Sequence, residues 1–234
     1  MVGHPLGGQG AVPRYDARSL NGATFLEQVH TDVTTQSRSA ERRRMVVRTA
    51  QFGVVARGDT LVVTADTLDL RETADGVEQA IDVDAVIGGR WKLLLGGRGD
   101  ATVLTQPFVP GEIGDVSDVA IAMADFFPPA PAILAAGKEG SEPPERAWRR
   151  MADSAGLARY HWSQQRHRDS SYVAADSMPV QASVDTKEDG DLAWDVARGP
   201  VAWSRRIATT ATSRFAGRTN RAVIDQRIVV RRVR

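Results

Sequence analysis

Most of the chain is a succession of runs rich in β-branched and aromatic residues, which are separated by turns that contain glycine. Before Pro107 these runs cover residues 44–56, 60–70, 77–87, 91–95 and 101–105. Two of the turns, Arg57–Asp59 and Gly96–Asp100, each join adjacent runs, which is the pattern of a β-hairpin. Given the usual length of a strand, this half of the chain is predicted to hold about six strands.

The pattern changes after Pro107. Residues 115–127 place apolar side chains at helical spacing, Asp115 is suited to the N-cap, and Pro128-Pro129 would end the helix. Residues 128–145 contain five prolines and two glycines and are predicted to be a linker. A short helix is expected over residues 146–155.

Strand signals return in the last third of the chain. The runs are residues 157–167, 171–175, 180–185, 191–197, 201–212 and 221–233, with turns predicted at 187–190 and 198–200. The order of these elements, with one helix and a linker between two groups of strands, predicts a mostly β (α+β) fold rather than a doubly wound sheet. We expect two antiparallel β-meander lobes, as a sandwich or half-barrel, joined by the helix and the Pro-rich connection. The predicted organisation is an N-terminal extension (1–13), a first lobe (14–127), the linker (128–145) and a second lobe (146–234).

Charge divides the chain at the linker. The formal net charge is +1, but residues 1–145 carry 13 basic and 20 acidic side chains, whereas residues 146–234 carry 17 and 9. The first lobe is therefore acidic and the second basic. The last thirty residues hold nine arginines against the single acid Asp225, and we take these arginines as the candidate interaction residues: Arg205, Arg206, Arg214, Arg218, Arg221, Arg227, Arg231, Arg232 and Arg234.

Three partners would suit these arginines: nucleic acid, an anionic membrane surface, or an acidic protein surface, which could be the acidic first half of this chain or a partner subunit. Few aromatic residues lie among them and the pI is about 8.2, which weighs against nucleic acid. The other two alternatives stay open. A third interpretation is that the arginines simply lie on a solvated face of a sheet.

No catalytic motif is present. There is no cysteine, and no P-loop, GxSxG or GxGxxG sequence. The four histidines lack a metal-binding spacing. Asp82 and Asp84 would share one face of a predicted strand and could hold a cation or act as an acid–base pair, although a solvated face is the commoner outcome. Both Arg-Gly-Asp tripeptides are predicted to be turns. We therefore expect no enzyme, no cofactor and no metal site.

Four of the five tryptophans lie in the second half of the chain: Trp148, Trp162, Trp194 and Trp203. Buried core packing is the ordinary role of such residues. An aromatic pocket for an apolar ligand is the alternative.

The stretch Phe126-Phe127-Pro128-Pro129, followed by a tryptophan segment at Trp148, resembles β-rich extracytoplasmic proteins of GC-rich bacteria, a likeness of pattern only. Such proteins have two meander lobes joined by a helix, and the resemblance implies a periplasmic or membrane-peripheral location. The first ten residues, MVGHPLGGQG, do not form a signal peptide pattern, so a cytoplasmic location is the alternative.

These observations predict a non-catalytic structural or interaction protein. We expect an extrinsic accessory subunit of a larger, membrane-bound complex, with photosynthetic and respiratory assemblies as examples of the class. The alternative is an extracytoplasmic carrier or sensor of a hydrophobic ligand.

Overall fold

The computed structural model describes residues 13–38, 40–111, 113, 123–131, 137–142, 146–173, 179–215 and 218–234. A short 3-10 helix, Ala17–Leu20, precedes the strands. The twelve strands are β1 (Thr24–Gln36), β2 (Glu41–Arg57), β3 (Thr60–Ala74), β4 (Val77–Ala80), β5 (Arg90–Leu95), β6 (Ala101–Thr105), β7 (Glu139–Glu142), β8 (Arg146–Arg150), β9 (Ala158–Val173), β10 (Pro179–Asp195), β11 (Gly199–Phe215) and β12 (Arg218–Arg232).

All twelve strands belong to one open antiparallel sheet. Their order is β6-β5-β3-β2-β1-β12-β11-β10-β9-β8-β7, and β4 pairs with β3 outside this path. Neighbours in sequence are mostly neighbours in the sheet because short turns join antiparallel strands. The predicted mostly β class, built of antiparallel meanders, is confirmed.

The two meanders are joined in the middle of the sheet by the first and the last long strands. β1 pairs with β12 over twelve residue pairs, from Phe25↔Arg232 to Gln36↔Arg221. Strands β1–β6 lie on one side of this seam and β7–β12 on the other. Among the described residues there is no helix with the length and apolar character needed to cross a bilayer.

One hydrophobic core covers one end of the long strands and draws on both meanders. Phe126 is at its centre: its ring lies 5.8 Å from Phe25, 5.3 Å from Phe52 and 5.6 Å from Trp203, measured between ring centroids. Phe126, in the segment that connects the two meanders, thus packs over the sheet and belongs to the core.

Both Arg-Gly-Asp tripeptides are turns, as predicted. Gly58 and Gly99 have φ angles of +62° and +88°, a conformation that favours glycine. At Gly99 space is also restricted, because a Cβ atom would lie 2.7 Å from the carbonyl oxygen of Pro128. The buried Tyr15 hydroxyl donates to that same oxygen, and burial raises the pKa of Tyr15.

Three predicted elements are wrong. The predicted helix over residues 146–155 begins instead as strand β8, which Trp148 anchors in the core opposite Trp162. The predicted strand over 77–87 ends at Ala80 and continues as a turn. The turn predicted at 187–190 lies within β10, because tertiary packing overrides its polar composition.

The predicted helix over 115–127 falls mainly on residues outside those described; its last five residues, 123–127, form a turn and a bend. The linker predicted over 128–145 contains strand β7, which pairs with β8. Ala130, in the same segment, is buried in the core.

Candidate interaction surface

The long strands continue past the core, and their far half bears a half-exposed face. Residues directly opposite each other in an antiparallel pair point to the same side of the sheet. The register therefore defines an inner face, which carries the core at one end, and an outer face. Beyond the core, the inner face of β1, β12, β11 and β10 forms a trough of small and β-branched residues: Val33, Thr35, Ala222, Ile224, Thr209, Ala211, Val184 and Thr186.

The trough is open. Thr35 is exposed and the other seven residues are half-buried. A groove of about 490 Å³ lies at its far end, where Val184, Ala211 and Ala222 are among the lining residues. The lining also includes Arg42 and Arg221. The surface is thus apolar in the middle and basic at its margin.

Arginines border the trough on both sides. On β2, Arg42 lies opposite Thr35 and Arg44 lies opposite Val33. On β9, Arg168 lies opposite Val184 and Arg166 lies opposite Thr186. Two rows across the sheet therefore begin and end with arginine, and we call these four arginines the rims.

The two rims differ in how far their charges are already satisfied. Arg44 forms an ion pair with Glu72, and Arg166 donates to Gln164 Oε1 at 2.9 Å. Arg42 and Arg168 are exposed and have no hydrogen bond or ion pair with any residue that the structure describes. Each rim thus offers one uncompensated guanidinium.

Polar residues close the trough on its core side. Arg205 Nε lies 3.0 Å from Glu188 Oε1 in a largely buried ion pair. Trp162 Nε1 donates to the same carboxylate at 3.3 Å, and Arg205 Nη1 donates to the carbonyl of Asp125 at 2.9 Å. These contacts hold the connecting segment against the sheet.

Some of the nine predicted interaction arginines already have partners within the fold. Arg205 belongs to the ion pair just described. Arg206 pairs with Asp225 on the outer face, which lowers the pKa of that carboxyl, and Arg227 lies 4.0 Å from it. Arg232 donates to the carbonyls of Ser19 and Arg198, and burial lowers its pKa. These four arginines have structural partners.

The other five predicted arginines have no side-chain partner within the described part of the chain, and they form two groups. Arg214, Arg218 and Arg221 lie beside the β11–β12 turn, at the far end of the sheet near Arg42 and Arg168. Arg231 and Arg234 lie at the core end. The nine residues therefore do not form one continuous surface. The rim arginines on β2 and β9 were not predicted, because only the strand register shows that they border a common trough.

The predicted carboxylate pair has a local structural role. Asp82 Oδ1 accepts a hydrogen bond from the backbone N–H of Asp84 at 3.1 Å, which stabilises a turn. No three His, Asp or Glu side chains gather into a metal-binding group among the residues described. The absence of enzymatic activity stays a prediction.

The tryptophans belong to the core. All five, Trp91 included, are at most 3% exposed. Trp148 lies 5.6 Å from Trp162 between ring centroids, and Trp194 packs on Tyr15 at 5.1 Å. Ordinary core packing accounts for these contacts.

On the outer face, histidines pair with acids. His167 Nδ1 lies 2.7 Å from Asp185 Oδ1, and its Nε2 lies 3.0 Å from Asp169 Oδ2. The two carboxylates raise the pKa of His167 by stabilising the imidazolium. The resulting stabilisation of the folded state is complete below the pKa of an unfolded histidine, about 6.5, and is lost as the pH rises through the folded pKa.

We expect Asp185→Asn to lower the pKa of His167, because Asp185 makes the shorter of the two contacts. A proton NMR titration of the histidine ring signals measures this change. Asp191→Asn is the matched control, since Asp191 pairs with His161 instead. An equal shift of His167 in both variants would contradict the assignment.

No family model and no curated protein matches the chain. Among solved structures, the chain is similar to the crystal structure of MucB in complex with MucA(peri). The identity is 10% over 89% of this chain and 90% of that chain, with a TM-score of 0.13. A likeness at this score carries no argument about fold or function.

Proposed function

We propose that the protein is a non-catalytic interaction protein, an accessory subunit that docks on an acidic protein surface within a larger assembly. The observation that carries this proposal is the trough: a half-exposed face of small and β-branched residues between two arginine rims. Membrane-bound complexes are a class of assembly in which such extrinsic subunits occur, and a periplasmic or membrane-peripheral location would suit this role.

The energetic argument rests on what a sheet face ordinarily does. Sheets bury at least one face against another layer, and contiguous apolar surface left open marks a binding site. Among the residues that the structure describes, the core covers only one end of the inner face. A partner covering the other end would remove the apolar side chains of the trough from water.

Charge favours an acidic partner. Arg42 and Arg168 lie on opposite rims without a partner of their own among the described residues. Arg214, Arg218 and Arg221 add positive charge at the same end of the sheet. Complementary charge raises association rates and selects partners more than it adds affinity, which suits docking onto a defined surface.

A carrier or sensor of a hydrophobic ligand is the second candidate, and the groove of about 490 Å³ is the observation that favours it. Its lining includes the apolar residues Val184, Ala211 and Ala222. Native mass spectrometry of the purified protein distinguishes this candidate, since a carrier would retain a bound lipid.

Site-specific photo-crosslinking tests the proposed docking. Ala211 and Ala208 are both half-buried residues of β11, but they lie on opposite faces. We expect a photoreactive amino acid in place of Ala211 to give a discrete crosslinked protein in the native organism, and the same substitution at Ala208 to give none. The absence of a discrete product at Ala211, or equal products at both positions, would overturn the proposal.

A further inference from the structure

We propose that the trough receives an amphipathic α-helix whose apolar stripe is bordered on both sides by acidic residues. This inference rests on the proposed docking function and specifies the form of the partner. It follows from four properties of the surface: its width, its length, the size of its side chains and the symmetry of its charge.

The width of the trough fits one helix. Its floor spans the four adjacent strands β1, β12, β11 and β10. With neighbouring strands about 4.8 Å apart, the floor is about 14 Å across. An α-helix with its side chains is about 10–12 Å in diameter, so one helix fills the floor and leaves the rims at its flanks.

The length of the trough fits about four helical turns. On β11 the inner face runs from Ile207 to Ser213 beyond the ion pair of Arg205. Seven residues of strand cover about 20 Å between their ends, and four turns of helix cover about 22 Å. The helix would lie along the strands, with its long axis between the two rims.

The side chains of the floor allow close packing of a helix but do not enclose an acyl chain. Ala211, Ala222 and Thr209 are small, so a helix can approach the strands closely. The trough is open, and Thr35, Thr186 and Thr209 bring hydroxyl groups to its surface. A single acyl chain lying there would stay largely in contact with water, whereas a helix supplies its own polar outer face.

The charge of the trough is the same on both sides. Arg42 and Arg44 border it on β2, and Arg166 and Arg168 border it on β9. A helix with acids on one flank only would pair with Arg42 or with Arg168, but not with both. Acids on both flanks of the apolar stripe pair with both rims.

A designed peptide provides a direct probe. It has about 18 residues, with leucine and alanine along one helical face and glutamate at both flanks of that face. The matched control peptide has the same apolar stripe with lysine at the flanking positions. Fluorescence anisotropy with the full chain is expected to show binding of the glutamate peptide. The lysine peptide is expected to bind at least about tenfold more weakly than the glutamate peptide.

Charge reversal on the rims supplies the second measurement. The variant Arg42→Glu/Arg168→Glu is expected to bind the glutamate peptide at least about tenfold more weakly than wild type. Arg159→Glu/Arg231→Glu is the matched control, because it changes the net charge equally on the outer face. If the first variant fails to fold by circular dichroism, Arg42→Gln/Arg168→Gln replaces it, with a smaller loss in the same direction.

The outcomes separate this inference from the proposed function. Equal binding of the two peptides, or equal loss in the rim and control variants, overturns the helix proposal. Rim-dependent binding to vesicles of phosphatidylglycerol without binding of the glutamate peptide overturns it as well, in favour of a lipid surface. If Ala211 crosslinks to a protein while the peptide fails, docking stands and only the form of the partner is wrong.

Discussion

Replacing Glu27 by Gln is expected to lower the free energy of unfolding by about 3–5 kcal/mol, the usual cost of breaking a buried ion pair. Arg48 Nε and Nη2 each lie 3.0 Å from Glu27 Oε2, and both side chains are at most 5% exposed. The carboxylate is thus a buried counter-charge for the guanidinium. Glutamine keeps the shape of the side chain but removes the negative charge that faces Arg48 in a region of low dielectric constant.

Urea denaturation of three variants measures this coupling. Glu27→Gln and Arg48→Met each remove one charge of the pair and keep the other buried, whereas Glu27→Leu/Arg48→Met removes both charges and is expected to be more stable than either single variant. Glu41→Gln is the matched control, since Glu41 pairs with Arg43 at the surface and its loss should cost far less than the loss of Glu27. If Glu27→Gln were as stable as Glu41→Gln, the pair would not be buried as the structure has it.

Local chemistry predicted the hairpins well because turn residues act over short distances. Gly58 and Gly99 adopt positive φ angles at two turns that the sequence pattern indicates. The strands on either side of each glycine pair as expected, β2 with β3 and β5 with β6. A glycine that must adopt such a conformation leaves the neighbouring chain few alternatives.

The joining of the two meanders could not be predicted in the same way. The pair Phe25↔Arg232 joins residues at opposite ends of the chain, and no local signal specifies such a contact. This pairing decides which arginines share a surface. It places Arg42, from the acidic first part of the chain, and Arg221, from the basic last part, at the same groove.

The charge division along the chain therefore has a different meaning in the folded protein. As a sequence it indicates two lobes of opposite sign. In the structure, the two parts share one sheet and one core. The rims of the trough take two arginines from each part. A count by sequence position hides this arrangement, because register and not chain order decides which side chains share a face.

Replacing Gly190 by Ala is expected to destabilise the fold by about 3 kcal/mol, at the upper end of the usual cost of overpacking. The added Cβ atom would overlap the carbonyl oxygen of Ser204 and Cζ2 of Trp162. Ser204 belongs to the neighbouring strand β11, whose backbone is held by pairing on both sides. The indole of Trp162 is fully buried and donates to Glu188, so it cannot swing away.

This contact also explains why polar residues 187–190 continue a strand where a turn would be expected. Glycine at position 190 leaves room for the indole to cross β10, and the indole in turn covers the glycine backbone.

Urea denaturation compares Gly190→Ala with Gly97→Ala, where an added Cβ atom would meet nothing within 4 Å and the change should stay within about 0.5 kcal/mol. The double variant Gly190→Ala/Trp162→Leu is expected to lose less than the sum of its single changes, because the smaller side chain vacates the space that Cβ enters. Strict additivity would show that the cost arises at the Ser204 carbonyl of β11 and not at the indole.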